Sequence, residues 1–311
     1  MLSICFLTLF VFFSLLPIST SMISTILRNY PSRKLFQYAV STQVNSEDML
    51  SIPTNICHYS NNIKNSTIYP TLDQFNLFDS VCIIVKSPSP SEYEFYTNFS
   101  YSHDTHDVNT EEVLFGKNKE GNNKSRWNKF LGGRVALRRA LRSINRGHAA
   151  SILTDHFGAP TLPSQVVGSI SHKDDLAAGI ARVDDSGHLG IDLEHMYNKA
   201  AATLWRRILT PDEQSRVGSL SLSPSLSPSY ITMEEETLLR FSFKEAVYKA
   251  IHPYLKRSID FREVEVEPTN NGSANINFKL KTGEEFDYKA YWQRYREKYW
   301  LTCVYVSEIK T

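Results

Sequence analysis

Asp192 and Glu194 stand two apart in the run Gly190-Ile191-Asp192-Leu193-Glu194. On a strand, residues two apart project from the same face, so this spacing brings two carboxylates under one point. Two like charges there repel unless a cation compensates. A hard divalent ion with oxygen ligands, such as Mg²⁺, is the natural compensator, and it usually keeps waters and binds phosphate oxygens as well. A solvated strand end with two acids is the competing explanation, and spacing alone does not separate the two. Further on, Glu245 and Lys249 are four apart in Phe241-Ser242-Phe243-Lys244-Glu245-Ala246-Val247-Tyr248-Lys249, one helical face. A surface ion pair is the ordinary account of such a pair. The neighbours Phe241, Phe243, Val247, Tyr248 and Ile251 make this helix apolar over most of its circumference, which places the pair at a buried edge.

Two further segments offer positive or phosphate-binding groups. Gly168-Ser169-Ile170-Ser171-His172-Lys173 delivers hydroxyl, imidazole and ammonium donors to the end of a small-residue strand. Ser171 and His172 are adjacent, so on a strand they face opposite sides and do not form a nucleophile–base pair with each other. Phosphate contact suits them better than hydrolytic catalysis. The segment Arg126 to Asn145 carries Arg134, Arg138 and Arg142 at helical spacing, a positive stripe suited to a polyanion. Nucleic acid, a plain solvated face and a small, multiply phosphorylated ligand all compete for it. Stacking aromatics are sparse there, Trp127 being the strong candidate, and the chain's net charge of +1 identifies no partner class.

The elements that must position these groups can be read from periodicity. Phe130, Val135, Leu137, Leu141 and Ile144 recur at helical spacing, and a second long helix is expected over Glu234 to Pro253. Strands are expected at 168–171, 177–183 and 189–194, and again at 264–266, 275–280, 286–290 and 300–306; shorter helices are expected at 199–209 and 211–217. Residues 46–116 suggest strands and loops, and Lys117 to Lys124 a polar connection. The Ser/Pro tract 219–229 reads as a flexible surface loop. The four cysteines form no Cys-x-x-Cys or Cys/His cluster, so reduced, buried thiols are expected and neither a disulfide framework nor a zinc site is.

The apolar run Leu2 to Ile18, followed by small residues, reads as a signal-like segment (1–21). Residues 22–45 carry Arg28, Arg33 and Lys34 with no acid before Glu47, as a transit peptide does. Together they suggest a bipartite leader, removed on import into a plastid, with mitochondrion or cytoplasm as alternatives; a short anchor is the competing reading of the first segment. No later stretch is long and apolar enough to span a bilayer, so no stable membrane insertion is expected once the leader is gone.

Read in order, Phe130-Leu131-Gly132-Gly133-Arg134, Gly168-Ser169-Ile170-Ser171-His172, Gly190 to Glu194 and Phe241 to Lys249 resemble the phosphopantetheinyl transferase superfamily, in its enterobactin-synthetase-type group. The resemblance implies an α/β (α+β) pseudo-dimer of two similar subdomains, each a small sheet packed on helices, here 46–187 and 188–311, acting as a monomer. It implies transfer of 4′-phosphopantetheine from coenzyme A to a serine of an acyl, polyketide or peptidyl carrier protein, as a holo-[acyl-carrier-protein] synthase does, with no nucleic-acid partner. Asp192, Glu194 and Glu245 then match Mg²⁺ ligands, Glu194 being the one a water could replace. Glu245 and Lys249 match catalytic positions, and Arg126, Arg134, Ser171, His172 and Lys244 match positions that bind coenzyme A. Two departures stand out: Thr161 to Gln165 lacks the family's usual Trp-Pro and glycine, and Lys129 stands where an acid is common. A coenzyme A-binding module without catalysis and a metal-dependent phosphohydrolase are the alternatives.

Overall fold

The computed structural model describes residues 69–89, 107–120, 123–147, 150–197, 205–218, 220 and 231–309. All of them belong to a compact unit spanning 52–311. The leader expected over 1–45, the start of the first subdomain, residues 199–204 of one expected helix and nearly all of the Ser/Pro tract lie outside them.

The first half holds strands β1 (Thr71–Leu77), β2 (Ser80–Lys86), β3 (Val166–Lys173) and β4 (Leu176–Val183) and helices α1 (Thr110–Glu120) and α2 (Lys124–Ser143). Its strands form one antiparallel sheet in the order β1-β2-β4-β3. The second half begins with β5 (Gly187–His195), short helices α3 (Trp205–Ile208) and α4 (Pro211–Arg216), and the long α5 (Met233–Leu255). A 3-10 turn at Phe261–Glu263 leads into β6 (Val264–Pro268), β7 (Ala274–Phe278), β8 (Phe286–Tyr295) and β9 (Tyr299–Glu308). Here the order is β5-β9-β8, with β6 and β7 as a separate antiparallel pair.

Period-two alternation builds the layers. Ile83, Val85, Ala177 and Ala181 face α2 with Val135, Leu137 and Leu141. Their neighbours Cys82, Ile84, Ala178 and Ile180 face the other way, against Ile191, Leu193, Leu301 and Cys303 of the second sheet. That sheet's opposite face packs with Phe243, Val247 and Ile251 of α5 around Trp300 and Val304. The result is helix, sheet, sheet, helix, a mixed α+β arrangement with each half a small antiparallel sheet on a long helix. Cys82 and Cys303 are buried free thiols within the middle layer.

The same device seats each long helix. A Cβ on Gly179 of β4 would come within 2.3 Å of the Leu137 amide in α2. One on Gly190 of β5 would come within 1.8 Å of the Ala246 carbonyl oxygen in α5. Only glycine permits such approach of strand to helix backbone. Helix α5 starts at a capping box in which Thr232 and Glu235 satisfy each other's backbone N–H, and stops where Lys256 turns left-handed at φ 48°.

Residues 110–116, expected among strands and loops, and 117–120, expected as the start of a connection, form a helix instead. Residues through Glu120 belong to α1, because Glu111 and Glu112 sit in its first turn, Lys117 and Lys119 in its last, and Asn109 N–H bonds Glu112 Oε2 at 3.1 Å. The buried Glu112 carboxylate also takes the Ile152 N–H at 2.6 Å and pairs with Arg138, so the helix is fixed by distant partners that a local pattern does not reveal.

Candidate functional site

On β5, Gly190, Asp192 and Glu194 share the face toward α5 while Ile191 and Leu193 face the first sheet. The close approach at Gly190 therefore sets the two carboxylates beside the α5 face that bears Ser242, Glu245 and Lys249, residues three, four and seven apart. Asp192 is buried and held by three donors. Ser171 Oγ–H reaches its Oδ1 at 3.0 Å, Ser242 Oγ–H its Oδ2 at 2.9 Å, and the Lys249 ammonium its Oδ1 at 2.8 Å. Lys249 is also anchored to the Ile191 carbonyl at 2.8 Å. Its ammonium thus crosses to β5, rather than forming the within-helix surface pair that is the ordinary account of Glu245 and Lys249.

Strand β3 lies along the free edge of β5 and divides its side chains between two charges. Ser169, Ser171 and Lys173 face β5. The Ser169 and Ser171 hydroxyls accept the Ile191 and Leu193 N–H groups, each at 3.2 Å, covering backbone donors that β9 does not reach. Lys173 Nζ donates to Glu194 Oε2 at 2.5 Å. Ile170 and His172 take the other face, where Ile170 packs against the core built on α2. Burial and the positive charges of Lys129 and Lys249 push the His172 imidazole down to about 4. It is neutral at pH 7, with one N–H to donate and one nitrogen to accept.

The acids respond in the opposite sense. Burial and the Asp192 carboxylate push both Glu194 and Glu245 up to about 7, although Lys173 and Lys249 pull the other way. The cluster therefore carries more carboxylate than its two lysines offset, which suits a hard cation. Among the described residues no three His, Cys, Asp or Glu side chains close into a metal cage. Asp192, Glu194 and Glu245 fit Mg²⁺ as an open oxygen donor set, since this ion keeps waters and takes further oxygens from phosphates.

The basic side is drawn from α2 and β3. Lys129 is half-buried, its ammonium pushed down by burial and by Lys173 and Arg126, and raised by Asp174. Arg126 has a buried terminal nitrogen with no hydrogen-bond partner among the described residues. Arg134 is buried, lies over the Phe130 ring at 3.6 Å and donates from Nε to the Ile152 carbonyl at 3.2 Å, while its field still reaches His172.

Three expectations change. Lys244 does not join the cluster: it is fully buried in the second half, donating to Glu213 Oε2 at 2.6 Å, to the Phe261 carbonyl at 2.8 Å and to the Ile208 carbonyl at 2.9 Å. Ser171 gives its proton to Asp192, so it positions a carboxylate instead of donating to a phosphate. The arginine stripe is largely tied up: Arg134 and Arg138 are buried, Arg138 pairing with Glu112, and the exposed Arg142 shares Asp107 with the buried Arg139, so it is no open polyanion face. Ser242 enters the site unannounced, though it was findable, because it shares a helical face with Glu245. Lys173, expected as an ammonium donor for phosphates, meets Glu194.

Both halves of the chain are similar to known proteins. A model of the 4′-phosphopantetheinyl transferase superfamily matches residues 188–304, and a model of the 4′-phosphopantetheinyl transferase N-terminal domain matches residues 120–182. The 4′-phosphopantetheinyl transferase Svp of Streptomyces mobaraensis is 30% identical over 142 residues, 45% of this chain and 54% of that protein, so the chain matches about half of that relative's length. A solved ACPS–CoA complex of Chronobacterium ammoniagenes aligns over 40% of this chain and 100% of its own, with 16% identity and a TM-score of 0.31. An apo-ACPS structure aligns over 40% and 99%, with 15% identity and a TM-score of 0.32. The two family models fall one on each half and together span more than half of the sequence, and the chain belongs to the 4′-phosphopantetheinyl transferase superfamily.

Proposed function

We propose that this protein moves the 4′-phosphopantetheine arm of coenzyme A onto a serine hydroxyl of an acyl, polyketide or peptidyl carrier protein, with Mg²⁺ held by Asp192, Glu194 and Glu245. The observation that carries the reading is the meeting of three mutually repelling carboxylates with Lys173, Lys249, His172 and Lys129 where β3, β5, α2 and α5 converge. Such a pairing of acids and bases suits a metal ion beside a pyrophosphate. Membership of the superfamily supports it further.

When bound, Mg²⁺ supplies positive charge against the pyrophosphate oxygens. The chain's own groups do the rest. Glu245, pushed up to about 7, accepts in its ionised form the proton of the incoming serine hydroxyl, directly or through a water. The serine oxygen bonds to the β-phosphorus of coenzyme A, the bond from that phosphorus to the bridging oxygen breaks, and adenosine 3′,5′-bisphosphate leaves. Lys249 offsets charge on, or protonates, the departing phosphate. His172 donates its N–H to a phosphate oxygen, and Ser171 with Ser242 keeps Asp192 in one orientation.

Incubation with coenzyme A, Mg²⁺ and an apo carrier tests the reading. A mass gain on the carrier with release of adenosine 3′,5′-bisphosphate supports transfer. Coenzyme A binding without carrier modification would replace it with a binding module, and phosphate release without a carrier would replace it with a phosphohydrolase. A panel of carriers from fatty-acid, polyketide and peptide synthesis identifies the acceptor.

A further inference from the structure

Two of the carboxylates assigned to the metal are each covered by an ammonium group. Lys249 sits on Asp192 and Lys173 on Glu194. The two lysines are held differently. Lys249 rises from within α5, ahead of its last turn, and has a second acceptor in the Ile191 carbonyl, while Asp192 is fixed further by two serines. Lys173 is the last residue of β3, next to Asp174 at φ 51°, and its side chain is 25% exposed. An ammonium 2.5 Å from Glu194 Oε2 occupies the space in which a cation would coordinate that oxygen. Two cations at such separation repel strongly outside bulk water.

We infer that Lys173 is a resident counter-cation for Glu194, which a divalent ion must displace and whose release gives the incoming pyrophosphate an ammonium partner. This rests on the metal site of the proposed function. Lys173 already lies close enough to Lys129 for the two ammonium charges to repel, so a polyanion between them is what would draw the freed side chain that way. The exchange makes the two ligands reinforce each other: coenzyme A draws Lys173 off Glu194 and favours the metal, and the metal releases Lys173 toward coenzyme A. By linkage the two effects are equal in size.

The test is Mn²⁺ titration, read by the electron paramagnetic resonance signal of the free ion, at about pH 8 so that the carboxylates are ionised. The full-length protein is compared with Lys173→Met and with Lys173→Gln, which keeps a hydrogen-bonding end should the Met variant fail to fold. Without coenzyme A, removing the ammonium is expected to tighten Mn²⁺ by at least about 10-fold, since a like charge leaves the site. Coenzyme A is expected to bind several-fold more weakly to the same variants, and its enhancement of Mn²⁺ affinity to shrink. A purely structural role would not move the two affinities in opposite directions. Mn²⁺ affinity that is unchanged or weaker in the variants overturns the inference while leaving the metal site standing. Failure of the wild type to bind Mn²⁺ with coenzyme A present, or equal binding by Asp192→Asn, removes the metal site and the inference with it.

Discussion

Replacing Lys244 with Met separates a structural lysine from a ligand-binding one. Its ammonium is the hub of a knot that joins the end of α3, the start of α4 and the 3-10 turn before β6. The paired Glu213 carboxylate is completely buried and also accepts the Thr210 and Val266 N–H groups, each at 2.8 Å. Burial pushes the Lys244 ammonium down and Glu213 raises it. Methionine fills the volume but leaves Glu213 without a countercharge, a change that typically costs about 3–5 kcal/mol. Against the ordinary stability of about 5–15 kcal/mol for a domain, such a loss is large and measurable. Urea unfolding is expected to show a lower midpoint at an unchanged slope. Adding Glu213→Gln to Lys244→Met is expected to recover part of the loss. In the folded fraction the KM for coenzyme A is expected to stay within about twofold of wild type, because uniform binding is untouched. Wild-type stability with a raised coenzyme A KM would refute the reasoning and return Lys244 to the ligand.

Other perturbations address other parts of the account. Glu245→Gln is expected to lower carrier modification by about 100-fold or more at saturating Mg²⁺, since a general base is lost. Gly190→Ala forces β5 away from the Ala246 carbonyl, and is expected to destabilise by about 1–3 kcal/mol in thermal unfolding and to weaken Mn²⁺ binding as Asp192 shifts. Arg138→Met breaks the buried pair with Glu112 and is expected to cost about 3–5 kcal/mol of stability with the coenzyme A KM unchanged, as an interior arginine should. Asp184 is held near 2: burial opposes its ionisation, but hydrogen bonds from the Ser186 N–H, the Tyr305 hydroxyl and the Gly187 N–H outweigh it. A depressed carboxylate stabilises fully above its ordinary value and loses that contribution as pH falls toward 2. Asp184→Asn is therefore expected to cost about 1–2 kcal/mol at neutral pH, after allowance for solvent screening, with the gap to wild type closing in acid unfolding curves.

Much of the site was legible because short-range periodicity governs it. Period two on β5 aligned Asp192 with Glu194, helical spacing aligned Glu245 with Lys249, and both alignments hold in the structure. What the pattern did not encode was direction. An α5 that is apolar on most sides has no evident outside, so Lys244 could not be distinguished from its neighbour Glu245, though the two point about 100° apart around the helix. The arginines of α2 looked free for a ligand because their partners, Glu112 and Asp107, come from a segment more than twenty residues earlier. Ser171 was legible as a site residue but not in its role, which depends on β3 running along the edge of β5. Gly190 and Gly179 stood in plain view, yet their reason, contact of strand with helix backbone, exists only after the layers assemble.

Asp192, with Glu194 and Glu245, is proposed to support phosphopantetheinyl transfer to a carrier serine. The most direct measurement is the intact mass of an apo carrier after paired reactions with coenzyme A and Mg²⁺, one with the wild-type protein and one with Asp192→Asn. A phosphopantetheine-sized mass gain is expected with wild type, with its loss when Mg²⁺ is chelated and no gain with Asp192→Asn. An unmodified carrier with the wild-type protein across fatty-acid, polyketide and peptide carriers, or equal modification by Asp192→Asn, would contradict it.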